Sequence, residues 1–179
     1  IILYFLYYCN DMTALIFYLF LSLFISFICS LVEATLLTTP KSYLLSIKKN
    51  NNWVSSFLSY KKNIDKPLSA ILTLNTIAHT IGAAGVGAEI TNIFGDNYLG
   101  IASAILTVFI LFFSEIIPKT IGATYCKGLS KFTFYTVRFM LLITYPFVVI
   151  SMKITGLIAK EKNTSVTREQ LSALANLGY

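Results

Sequence analysis

The stretch from Met12 to about Thr39 carries one charged side chain, Glu33, in an otherwise apolar run. A helix needs about 20 apolar residues to cross the hydrocarbon of a bilayer, and this stretch exceeds that. A second runs from Pro67 to about Thr91 and holds only His79 and, near its end, Glu89. A third runs from Tyr98 to about Gly122 and holds Glu115 and Lys119. Lipid offers no partner to bare backbone, so such segments are helices or closed-barrel strands. Barrel strands are short and alternate. Leu19-Phe20-Leu21 and the apolar run Phe109–Phe113 do not alternate. The expected fold is an all-α integral membrane domain with spans near 12–39, 67–91 and 98–122.

Composition agrees. Hydrophobic residues make up 56% and charged residues 12%, against about 25% charged in soluble domains. Soluble globular, disordered and collagen-like classes are excluded. Cysteines at 9, 29 and 126 are few and scattered, so buried hydrophobes are expected rather than disulfides or metal ligands.

The net charge of +6 is a topology signal. All 14 Lys and Arg lie at or after residue 41. Residues 40–66 carry six lysines, whereas the connector from Glu89 to Asn97 carries acids and no base. The positive-inside rule puts the N-terminus outside and the C-terminus in the cytoplasm. With the bases gathered at one membrane face, nucleic acid is not the expected partner. The apolar stretch Phe132–Ala159 is interrupted by Arg138, Pro146 and Lys153. Charges in mid-span are costly, so helices lying on the inner surface are expected over about 131–160. Trp53, Phe57 and Tyr60 allow a similar surface helix or an ordinary loop.

Residues 1–11 are then an extracytoplasmic tail, 12–160 a transmembrane transport domain, and 161–179 the start of a cytoplasmic helical region. In that last segment Thr167 and Gln170 have capping-box spacing, and Leu171, Leu174 and Leu177 repeat at helical spacing. The chain starts with Ile and its last helix is cut short, so a fragment of a longer protein is expected. No basic region precedes the first apolar run, so no cleaved signal peptide is expected.

Four polar groups sit where lipid penalises them: Glu33, Asn75, His79 and Glu115. Counted from the inner boundary at 1.5 Å per residue, Glu33, Asn75 and Glu115 share a depth of about 12 Å. Ser26 and Ser30 stand on the Glu33 face of the first helix. Pro118 cannot bond the Ser114 carbonyl four residues back, which frees that oxygen beside Glu115. Carboxylates, hydroxyls, an amide and a carbonyl suit hard cations such as Mg²⁺, Ca²⁺ or Na⁺. The plain alternative is structural: serines bonding backbone, protonated glutamates, or Glu115 paired with Lys119. His79, one turn from Asn75, reads either as a helix-to-helix hydrogen bonder or as a group supporting the site. Ala78/Gly82, Ala83/Gly87 and Ala84/Ala88 are small-residue pairs that let helices approach closely, within the chain or in a homodimer. Phosphate-loop, zinc-protease and nucleophile-elbow motifs are absent, and no enzymatic activity is expected.

At these residues the chain resembles the transmembrane domain of the CNNM/CorB/CorC (cyclin M-like) magnesium transporters. The matching segments are SLVEATLL at 30–37, LNTIAHTIGAA at 74–84, SEIIPKTIGA at 114–123 and VTREQLSAL at 166–174. The resemblance implies a homodimer of three-span subunits in the plasma membrane, holding a largely dehydrated Mg²⁺ in a cavity open to the cytoplasm. It implies ligands at Ser26, Ser30, Asn75 and Glu115 with the Ser114 carbonyl, and Glu33 matches the acidic position of prokaryotic members. It implies Mg²⁺ export with Na⁺ as the candidate coupling ion. The family carries Gly where this chain has Ser114, and its nucleotide-binding CBS pair is not in this sequence. A Mg²⁺-sensing scaffold that regulates a partner transporter is the competing expectation.

Overall fold

A computed structural model describes residues 2–159, with side chains over 12–154. Eight α-helices follow in order: α1 (Ile2–Thr38), α2 (Lys41–Ile47), α3 (Trp53–Lys62), α4 (Asp65–Phe94), α5 (Leu99–Phe109), α6 (Ile117–Thr124), α7 (Cys126–Ile143) and α8 (Tyr145–Ala159). Short 3-10 turns at Lys48–Asn50 and Asp96–Tyr98 join them, and a π-helical segment, Ile110–Ile116, links α5 to α6. No strand occurs among the described residues. Among the described residues, three helical runs are each long and apolar enough to cross a membrane: Met12–Thr38, Asp65–Phe94 and Asp96–Thr124. The all-α membrane fold expected from the apolar runs is the fold observed.

The boundaries differ in instructive places. The helix of the first span begins at Ile2, so the backbone of the expected 1–11 tail is already helical. Neither Gly nor Pro precedes Met12 to stop it. The connector between the second and third spans is shorter than the acid count suggested. Glu89 belongs to α4, which runs on to Phe94 and stops at Gly95. Gly95 takes φ 86°, a conformation side chains oppose, and its N–H bonds the Thr91 carbonyl at 3.0 Å. Pro67 sits within the first turn of α4, where a missing N–H costs nothing. The capping box and leucine repeat expected over 161–179 lie outside the described residues.

The stretch 53–60 is helical, and its aromatics explain why. Trp53 lies 6.0 Å from both Phe57 and Phe134, and Tyr60 stacks on Phe134 at 5.8 Å. These rings pin α3 against α7. Around them Leu36, Leu44, Val54, Phe57, Ile71 and Val137 are fully buried. The core therefore sits at the end of the bundle where α1 finishes and α4 begins. The remainder of the spans exposes Phe, Leu and Ile, the surface a lipid solvent favours.

Two devices hold the spans together. Gly82 meets Ser22 so closely that a Cβ on it would overlap the serine side chain, and Ser22 donates to the Ala78 carbonyl at 3.0 Å. The Ala78/Gly82 pair thus serves contact within the chain, while Ala84 and Ala88 stay exposed. Gly122 plays the same part for α6, with the Leu31 carbonyl where its Cβ would be. At the end of α1, the Lys61 ammonium donates to the carbonyls of Leu36, Leu37 and Thr39 at 2.9, 3.2 and 2.6 Å. Those are orphan acceptors of a helix terminus. Burial there, and then the neighbouring Lys41, hold the Lys61 pKa below its ordinary value.

α7 and α8 meet at an angle of 86°. Pro146 in the first turn of α8 cannot bond back into α7, and the helix breaks at Thr144. The two do not form one straight span. α8 is tied to α4 through Ser69 and Ser151, whose hydroxyls lie 2.9 Å apart.

Candidate cation site

α1 and α4 run antiparallel and make the most extensive helix contact in the fold. Their polar rungs are regular. Ser22 bonds the Ala78 carbonyl, and one turn on, the Ser26 hydroxyl lies 2.5 Å from His79 Nε2. His79 is therefore a helix-to-helix hydrogen bonder. The same register carried one further turn brings Ser30 to Asn75. Here the pattern changes. Ser30 Oγ and Asn75 Oδ1 are both buried and neither has a hydrogen-bond partner. A buried oxygen without a partner costs about 1–3 kcal/mol. Both belong to the α1–α4 contact, one on each helix.

α6 lies along the other side of α1, in parallel. The Thr35 hydroxyl reaches the Gly122 carbonyl at 3.2 Å and Thr39 reaches the Cys126 carbonyl at 3.4 Å. Two turns back along both helices, Ser114 comes to about the level of Phe27 and Ile28, between Ser26 and Ser30. Ser114 is fully buried, as are Ser26 and, within 1%, Ser30. Ser114, Pro118 and Gly122 make the buried stripe of this span.

Pro118 disturbs the backbone without breaking the helix. The turn before it widens to π geometry, and the Ile117 N–H bonds the Phe112 carbonyl five residues back. The wider turn gives the proline ring room without interrupting the span. The Ser114 hydroxyl donates to the Ile110 carbonyl at 2.8 Å, which leaves its lone pairs free to accept a cation.

The two glutamates are placed differently from each other. Glu33 Oε2 lies 3.6 Å from Lys119 Nζ across the α1–α6 contact. Lys119 thus pairs with Glu33 rather than with Glu115 on its own helix. Glu115 stands one turn before Lys119, half-buried, with no hydrogen bond or ion pair among the described residues. The structure therefore joins Ser26, Ser30 and Asn75 in one interface and sets Ser114 at their level. Glu33 is held by a lysine, and Glu115, within the π turn, has no side-chain partner among the described residues. Among the described residues no three of His, Cys, Asp and Glu gather. Any cation site here is built mainly from hydroxyl, amide and backbone oxygens, with carboxylates at its edge.

Sequence reading missed Thr133. Its hydroxyl on α7 is buried without a partner. The available signal was its place, one turn from the buried Ser130 and Val137 on the inward face of an amphipathic helix. The apolar groove of about 470 Å³ between α1 and the third span is lined by Phe, Leu and Ile alone, so it offers nothing to a cation.

Three long apolar helical runs with buried polar side chains between them define the class: an all-α integral membrane domain. The chain belongs to the cyclin M family, since residues 16–179 match its cyclin M transmembrane N-terminal domain. It is 34% identical to a UPF0053 protein of Synechocystis sp. over 90% of this chain and 47% of that protein. It is 30% identical to a UPF0053 protein of Haemophilus influenzae over 87% of this chain and 41% of the relative. A DUF21 domain-containing chloroplastic protein of Arabidopsis thaliana is 28% identical over 57% of this chain and 15% of that protein. The chain thus spans about half, or less, of the curated relatives it matches.

Proposed function

We propose that this domain moves Mg²⁺ across the membrane through the oxygen-lined interface of α1, α4 and the third span. The observation that carries the reading is the pair of buried, unpartnered oxygens on Ser30 and Asn75, level with Ser114. Hard oxygen donors match Mg²⁺, which keeps waters and takes few carboxylates. In this reading Ser26, Ser30, Asn75 and Ser114 replace part of the ion's hydration shell. Glu115 supplies uncompensated negative charge, and Glu33 supplies more when Lys119 swings away. The direction is export, with Na⁺ as the coupling ion, from the inner side of the plasma membrane. The N-terminus lies outside and the functional unit is a homodimer. A missing cytoplasmic CBS pair would add regulation.

The test is Mg²⁺ flux in proteoliposomes. The parent chain is expected to transport, and Glu115→Ala to fold yet lose transport. Flux that survives Glu115→Ala overturns the assignment. Saturable binding without flux in the parent favours a Mg²⁺-sensing scaffold instead.

A further inference from the structure

A second cavity, of about 560 Å³, lies apart from the cation site, where α3, the start of α4 and the α7–α8 bend converge. Its wall mixes two chemistries. Lys66 and Arg138 bring positive charge, Tyr60, Tyr135 and Tyr145 bring phenols, and Phe139 and Leu142 bring apolar surface. Neither Lys66 nor Arg138 forms an ion pair with an acid among the described residues. The three phenols have no hydrogen-bond partner among those residues either. Phe139 and Leu142 are 62% and 76% exposed, immediately beside Arg138.

The position gives this mixture meaning. Lys66 is in the first turn of the second span, at the end where Lys61 closes α1. That is the boundary between apolar span and basic connector. Tyrosines and bases gather at such boundaries, and basic pockets between helices there hold anionic headgroups. The 86° bend carries α8 away and leaves Leu142 and Tyr145 uncovered.

We propose that this cavity seats the phosphodiester headgroup of an anionic phospholipid, with its acyl chains running along Phe139 and Leu142. Lys66 and Arg138 pair with the phosphate, and the tyrosine hydroxyls donate to its oxygens. Tyr60 supports the close approach of Arg138: burial raises its pKa and the Arg138 charge opposes the rise. A water-borne phosphate gains nothing from the apolar wall. A zwitterionic lipid would bring its own ammonium against two cations.

The experiment is native mass spectrometry of the purified chain in detergent with equimolar phosphatidylglycerol and phosphatidylcholine. Each base near an anionic lipid is worth about fivefold in affinity, so two give about 25-fold. The parent is expected to retain phosphatidylglycerol by that margin, and Lys66→Gln with Arg138→Gln to fall to about parity. Lys48→Gln with Lys49→Gln, exposed and outside the cavity, should keep the preference. Should the double variant not fold, Lys66→Gln alone is expected to lose about fivefold. Equal retention of both lipids by the parent overturns the proposal. So does a preference that survives in the cavity variants, or one lost equally in the Lys48/Lys49 control. Displacement of the lipid by millimolar inorganic phosphate also overturns it, because it marks a site for free anions.

Discussion

Replacing Gly122 by Ala tests the α1–α6 contact on which the site depends. A Cβ there would overlap the Leu31 carbonyl oxygen and lie 3.0 Å from Thr35 Oγ1 and 3.1 Å from Ala34 Cβ. The nearest atom is backbone in the middle of a span, so it cannot turn aside. α6 must move away from α1 by about 1 Å to reach ordinary contact distance. Overpacking of this kind costs about 1–3 kcal/mol. Stretching the 3.2 Å bond from Thr35 to the Gly122 carbonyl adds about 1 kcal/mol. The better helix propensity of Ala returns about 1 kcal/mol, which leaves a net loss of about 1–3 kcal/mol. For a chain of this size that lowers Tm by about 3–10 °C. Gly128 on α7 is the control, since nothing lies within 4 Å of a Cβ there. Gly128→Ala should raise Tm by about 2 °C. The assay is thermal unfolding of the detergent-purified domain, followed by Trp53 fluorescence. A Gly122→Ala variant as stable as the Gly128→Ala control would refute the close approach.

Lys61→Met strips the donors from the end of α1 and should cost about 1–2 kcal/mol in the same melt. Burial depresses the Lys61 pKa in the folded chain, so just below the ordinary lysine value of about 10.4 the unfolded chain binds more protons. Stability should therefore rise with pH through that interval, and Lys61→Met should abolish the rise. Lys119→Met releases Glu33 and should tighten Mg²⁺ binding several-fold by calorimetry, an effect that Glu33→Gln cancels. Ser26→Ala removes both the rung to His79 and a proposed ligand oxygen, and should cost about 1 kcal/mol in unfolding and weaken Mg²⁺ binding in the same titration.

The existence and order of the spans were legible because lipid solvent demands long apolar runs, and Glu33, His79 and Glu115 stood out against them. Pro118 announced a disturbance near Ser114, although the π form of the turn depends on how the span packs. The depth count brought Glu33, Asn75 and Glu115 to one level and helix spacing added Ser26 and Ser30, whereas it is the antiparallel packing of α1 on α4 that sets Ser26 and Ser30 against the Asn75–His79 turn. The partner of Lys119 was not legible. On one helix Glu115 is its neighbour, and only the parallel setting of α6 against α1 gives it Glu33 instead. The Lys61 clamp was hidden for the same reason, since it joins α3 to carbonyls of α1 more than 20 residues away. Tertiary register decides such pairs, and apolar periodicity does not encode it.

The most direct test of the cation site is calorimetric titration of Mg²⁺ into the purified domain beside Asn75→Ala and Glu115→Ala. Saturable binding in the parent, lost in both folded variants, is the predicted result. Binding unchanged by either substitution, or no binding to the folded parent, would contradict the site.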